Sequence, residues 1–198
     1  DNAQVFDNSE ISGNAAVADN AQVADNAWVT DNAWVGNNAL VKNDALVTDN
    51  AQVGGDAWVI DNARVGGSAV VTGIAQVINN SQVGGSAWVG NNVIINGNAQ
   101  VRGHSVITDN AWVGDHTIVT NDACVQDDTT ITGNAQVRGN AKVAGNAKVE
   151  GNAQVIGNAV VTDNARVKDN AIIHGDTWVG GNTMVTGTTI LSKGNHSN

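Results

Sequence analysis

Every sixth residue of this chain, from Val5 to Val185, is Val or Ile, and no insertion interrupts the count. The next residue in the series is Leu191, and the last six residues, KGNHSN, leave the pattern. Within the 32 regular units the third place is Ala in 23, otherwise Ser, Thr or Val, and the second place is Asn in 21. A unit this short cannot bury its apolar side chains alone. It must stack on copies of itself, as solenoids do.

The period rules out a helix. Six residues at about 100° each rotate the chain by about 600°, so successive valines would point in three directions and form no single apolar stripe. In an extended segment the third and fifth places share one side and the fourth and sixth share the other. The first and second places are mostly Gly, Asp or Asn, which tolerate the backbone of a tight turn. Each unit therefore reads as one short strand with Ala and Val inward, followed by one corner. An antiparallel meander would leave the valine face open, whereas a coil that always turns the same way buries the valines against one another. The small third-place residue fits a polygonal interior that narrows toward its corners. With Pro 0, Tyr 0 and Phe 1, the core has to be built from small aliphatic side chains.

The run Val/Ile, variable, Gly/Asp, Asn, Ala, variable resembles the hexapeptide-repeat (bacterial transferase hexapeptide) proteins over residues 1–192. The resemblance implies an all-β fold, a left-handed parallel β-helix of triangular section with three hexapeptides per coil. The handedness comes only from the resemblance, since parallel crossovers otherwise favour the right hand. Three units per coil make about ten to eleven coils, roughly 50 Å of rod at the usual strand spacing of about 4.8 Å. The expected division is a continuous solenoid over 1–192 and a C-terminal tail over 193–198.

Charge narrows the partners. The net charge of −10 and a pI near 4.4 argue against nucleic acid, which is bound by clustered Lys and Arg. The cations are also unevenly spread. Lys42 stands alone in the first 60 residues, while Arg138, Lys142, Lys148, Arg166 and Lys168 cluster late. No apolar run approaches the length of a membrane span, so no membrane partner is expected.

Many proteins of the resembled family are acyltransferases, and some resemble carbonic anhydrases with metal at a trimer interface. The resemblance implies that such activities need a departure from the bare repeat, such as an extruded loop, a histidine general base or three metal-binding histidines. His104 and His116 sit at second-place corners, His174 ends its unit, and His196 lies in the final six residues. Their spread gives no convergent set, and the expectation is no catalytic residue, no metal site and no cofactor. Cys124, at an outward fourth place near Asp122, Asp127 and Asp128, lacks the cationic setting of a reactive thiol. Stacked corner acids, Asp1 with Asp19, Asp31 with Asp49 and Asp109 with Asp127, read as solvated turn residues.

Sorting the outward places by every third unit separates three sides. The third side carries one charge in 20 outward positions, and its fourth places include Trp34, Val70, Trp88, Val106, Cys124, Val160 and Trp178. This uncharged strip is the expected surface for side-by-side self-association, in line with the trimers that the resemblance implies. End-to-end pairing is a further expectation, because Val5, Ile11 and Val17 in the first coil have no layer above them. The expected function is a non-catalytic rod or scaffold segment. The alternatives are an acyltransferase-like protein, or a flat face for ice or polysaccharide. Ice ranks low because only Thr130-Ile131-Thr132 has the Thr-X-Thr form, and polysaccharide ranks low because Trp34, Trp88 and Trp178 lie coils apart.

Overall fold

The computed structural model describes residues 2–198 and is a parallel β-solenoid of eleven coils, a left-handed parallel β-helix of triangular section. Three sheets of 11 strands run the length of the rod, and every third strand pairs with the next in parallel. Asp1 lies outside the described residues, and the stacking of its side chain on Asp19 is left there. The described residues contain no helix, and so none long and apolar enough to cross a membrane.

The register follows from the hexad. Gln4 pairs with Gln22 and Val5 with Val23, a step of 18 residues repeated through Ile172 with Ile190. The fourth-place N–H of one coil donates to the third-place carbonyl of the next, as from Gln22 to Ala39 at 2.9 Å. The sixth-place N–H donates in the same direction, from Ala24 to Val41 at 3.0 Å. Third- and fifth-place side chains form one continuous core, from Ala21 and Val23 to Val179 and Val185. Full burial of each valine stabilises by about 1.5–3 kcal/mol before the ordering entropy is counted.

Corners are built from left-handed residues. Every first-place residue from Asp7 to Gly187 has φ between 55° and 76°, whether it is Gly, Asp or Asn. Asp and Asn tolerate this region because their short side chains bond locally. Here the bond runs along the rod: Asp19 Oδ2 accepts the N–H of Asn37 at 2.9 Å, and Asp127 Oδ2 accepts that of Gly145 at 2.8 Å. Second-place asparagines form amide ladders, each Nδ2 donating to the next Oδ1, as in Asn2 to Asn20 to Asn38 and on to Asp56. Several hydroxyls that replace third-place Ala donate back to the preceding sixth-place carbonyl, as Ser105 Oγ does to Arg102 at 2.9 Å, whereas those of Thr117 and Thr129 have no partner among the described residues.

The two ends differ from the middle. Val5 is 48% exposed, and Phe6 lies outward on the first sheet with Lys42 Nζ 6.0 Å from its ring centroid. At the other end, Asn195–Ser197 adds an eleventh strand to the third sheet, pairing Trp178 with Asn195 and Val179 with His196. Its register is seventeen residues rather than eighteen, because the final corner is one residue shorter.

Candidate functional site

The 18-residue step stacks corner residues of successive coils, and at one corner it brings an imidazole beside a carboxylate. His104 occupies the second place before strand Val106–Ile107, and Asp122 the second place before strand Cys124–Val125. Their backbones are tied into the corner ladder, the His104 N–H donating to Asn121 O at 2.7 Å and the Asp122 N–H to Gly139 O at 3.0 Å. His104 Nδ1 then lies 3.6 Å from Asp122 Oδ1. Gly103, just before His104, has φ of 75°, and a Cβ there would sit 2.7 Å from the N and O of Asn121. Glycine at that position therefore lets adjacent coils close up beneath the pair.

Both partners are open to solvent, with His104 76% and Asp122 64% exposed. On one flank stand Val106, Cys124 and Lys142 of the third sheet. On the other flank is Arg102, whose Nη2 donates to Gln82 Oε1 at 2.7 Å. The arrangement sets a carboxylate, at just over hydrogen-bond distance, beside an imidazole whose Nε2 makes no hydrogen bond among the described residues and can take a proton from a hydroxyl or amine.

Of the remaining histidines, His116 and His196 have ring partners, whereas among the described residues His174 is bonded only through its backbone. His116 joins an amide ladder, with Asn98 Nδ2 donating to its Nε2 at 3.2 Å. His174 lends its carbonyl to Thr177 Oγ1 at 2.7 Å, and His196 Nε2 meets Lys193 O at 3.2 Å. Among the described residues no three His, Cys, Asp or Glu side chains converge. Burial pushes the Cys124 thiol up, Lys142 draws it back less, and Asp127 and Asp109 add to the rise. The thiol therefore stays protonated at neutral pH and donates to Gln126 Oε1 at 3.4 Å.

The third sheet carries Trp34, Val70, Trp88, Val106, Cys124, Val160 and Trp178 in register along the rod. All are half-buried except Trp88, which is 37% exposed. The indoles of Trp34, Trp88 and Trp178 lie over the glycine two places on, so that a side chain at Gly36, Gly90 or Gly180 would collide with the ring. The more protruding indoles are on the other two sheets: Trp28 at 52%, Trp58 at 44% and Trp112 at 43% exposed. Residue type alone could not separate these two groups. A sixth-place Gly leaves room for the ring to lie down but does not by itself decide the posture, since Trp112 has Gly114 two places on and is still 43% exposed.

No protein-family model matches the chain, and no curated protein matches it in sequence. Solved structures do. A UDP-N-acetylglucosamine acyltransferase from Campylobacter jejuni superposes with a TM-score of 0.55 at 21% identity, covering 89% of this chain and 68% of that one. A UDP-N-acetylglucosamine acyltransferase from Arabidopsis gives 0.48 at 17% identity, covering 98% and 70%. The likeness to the Campylobacter protein, at this identity, establishes the fold. It also corrects the expectation of a non-catalytic rod or scaffold segment, which rested on the lack of a loop to enclose a pocket. A coil of this kind also occurs in a UDP-N-acetylglucosamine acyltransferase, so the coil alone is no ground for reading the chain as inert.

Proposed function

We propose that the chain is an acyltransferase-like hexapeptide-repeat protein, with His104 as general base and Asp122 as the group that orients it. The observation that carries this reading is the His104–Asp122 pair, in which Nδ1 faces the carboxylate at 3.6 Å and Nε2 is left outward. Such contacts are commonly long without substrate and shorten when the reacting groups are bound. In the proposed step Nε2 takes the proton of an acceptor hydroxyl as its oxygen attacks the carbonyl carbon of an acyl-coenzyme A. The C–O bond forms, the C–S bond breaks, and the imidazolium returns its proton to the departing thiolate.

An imidazole this exposed needs a wall to exclude water, and one coil surface cannot enclose it. Side-by-side association through the third sheet would bring a second copy against Val106 and Cys124, which adjoin the His104 corner, and would form that wall. Interface and catalytic corner are thus parts of one arrangement. The test is release of free coenzyme A from acyl-coenzyme A in the presence of a panel of hydroxyl and amine acceptors. Turnover that is lost in His104→Ala supports the reading. No turnover with any acceptor, or turnover indifferent to His104→Ala, overturns it.

A further inference from the structure

A second feature of the rod goes beyond acyl transfer and lies away from the His104 corner. An open groove of about 410 Å³ runs between the second sheet and the corner that precedes it, lined by Asn26, Trp28, Asp44, Ala45, Leu46 and Arg64. It continues past Asp44 and Arg64 to Asn62, Asn80 and Gln82. The groove covers the second to fifth coils, about 14 Å at the usual strand spacing of about 4.8 Å.

Its shape follows from the fourth-place residues. Trp28, Leu46 and Arg64 are consecutive strand neighbours on the second sheet. Leu46, half-buried between two longer side chains, is the floor, while the indole of Trp28 and the guanidinium of Arg64 are the end walls. Two strand spacings separate those walls, about 10 Å, which admits one saturated six-membered ring. In the next coils the sixth places are Gly66 and Gly84, and a Cβ at Gly84 would meet nothing within 4 Å. The face is bare where other coils carry Thr or Arg.

Its chemistry is mixed and unspent. Asn26 Nδ2 donates to Asp44 Oδ1 at 3.1 Å, and the ladder stops there because a carboxylate has no proton to pass on. The next residue, Asn62, donates forward to Asn80 at 3.1 Å. Its Oδ1 therefore faces back toward Asp44, and two acceptors meet with no donor between them. Arg64 makes no side-chain hydrogen bond among the described residues and stands beyond 4.0 Å from any carboxylate, although it shares the groove with Asp44. Such a site asks for a ligand that donates to Asp44 and Asn62, accepts from Arg64, and lays an apolar face on Trp28. An anion is opposed by Asp44 and a cation by Arg64, whereas a neutral polyol ring has both hydrogen-bond roles and a C–H face.

We infer that this groove is a binding site for a single neutral sugar ring at the end of a glycoside, with Trp28 as the stacking platform and Asp44, Asn62 and Arg64 as the hydroxyl-reading groups. The test titrates the whole chain with methyl glycosides of neutral hexoses and N-acetylhexosamines, following the indole N–H signals by NMR. A saturable shift of the Trp28 signal is expected. Affinity should fall about ten-fold or more in Arg64→Ala, and in Trp28→Gln, which places at that position the residue that Gln82 and Gln100 already supply on the same sheet. Trp58→Gln, on the first sheet, should leave binding unchanged, as should His104→Ala, which separates this site from the acyl-transfer reading. No saturable shift with any glycoside, a response to free nucleosides instead, or binding that survives Trp28→Gln would each overturn the inference.

Discussion

His104 Nδ1 lies 3.6 Å from Asp122 Oδ1 although the two residues are 18 apart in sequence, because one turn of the coil brings consecutive corners into register. Both side chains are exposed and neither is part of the core, so substitutions there test chemistry with little effect on folding. His104→Ala should lower turnover by about 10²–10⁴-fold, the usual contribution of a positioned base. Asp122→Asn should lower it less, since the imidazole remains. The thermal midpoint of either variant should stay near that of the parent, because exposed substitutions usually change stability by no more than about 0.5 kcal/mol. A large drop in midpoint with proportional loss of activity would instead mark the pair as structural.

The architecture is legible in the hexad because each of its places has one physical task. The fifth place fills the core, the third fits the narrowing corner, and the first adopts a left-handed backbone that Gly, Asp and Asn share. The proposed His104–Asp122 pair was less legible for a plain reason. His104 compared with His116 suggests scattered corner residues, whereas the 18-residue step, which already stacks Asp31 on Asp49, puts Asp122 next to His104. The posture of the tryptophans depends only in part on the neighbour two places away, for Trp112 has Gly114 there and still protrudes. Trp34 lies down over Gly36, while Trp28, with Thr30 at the corresponding place, stays outward.

Two glycines make opposite predictions. Gly133 has φ of 76°, and a Cβ there would lie 2.7 Å from the carbonyl oxygen of Gly151 in the next coil. Gly133→Ala should destabilise by at least about 1–2 kcal/mol, the cost of the left-handed region for a residue with Cβ. Gly84 has no positive φ and open space around its Cβ direction, so Gly84→Ala should be neutral or should stabilise by about 0.4–1 kcal/mol through the unfolded chain. Urea unfolding of both variants checks the pair, and equal effects would contradict the corner geometry.

Association through the third sheet predicts a charge-sensitive oligomer. Val106 and Val160 are half-buried outward residues on that sheet, so Val106→Lys with Val160→Lys should reduce self-association while the circular dichroism of the coil stays unchanged. Introducing two cations into a desolvated contact is costly unless each finds a partner. Sedimentation of the parent chain as a monomer at high concentration would remove the basis for this interface.

A small set of corner carboxylates should resist protonation and so link the stability of the coil to acid pH. Asp31 is held below the ordinary aspartate range, chiefly by the hydroxyl of Thr48 at 2.5 Å, then by that of Thr30 at 2.9 Å and the N–H of Asp49 at 3.3 Å. Asp109 is lowered by the Thr108 hydroxyl and the N–H of Asp127, and Asp169 by the N–H of Gly187 and the Thr186 hydroxyl. For each, the folded chain binds the proton more weakly than the unfolded chain does. Their contribution to stability is therefore complete above the unfolded aspartate value of about 3.9 and is lost as pH falls through the lower folded value. Thr48→Val removes the leading hydroxyl without disturbing a β-branched outward position, so Asp31 should titrate closer to the ordinary value, while Asp109 and Asp169, at other coils, should not move. Carbon-detected NMR titration of the three carboxyl groups reads this directly. An Asp31 titration unaltered by Thr48→Val would mean that the hydroxyl contact does not hold the carboxylate in solution.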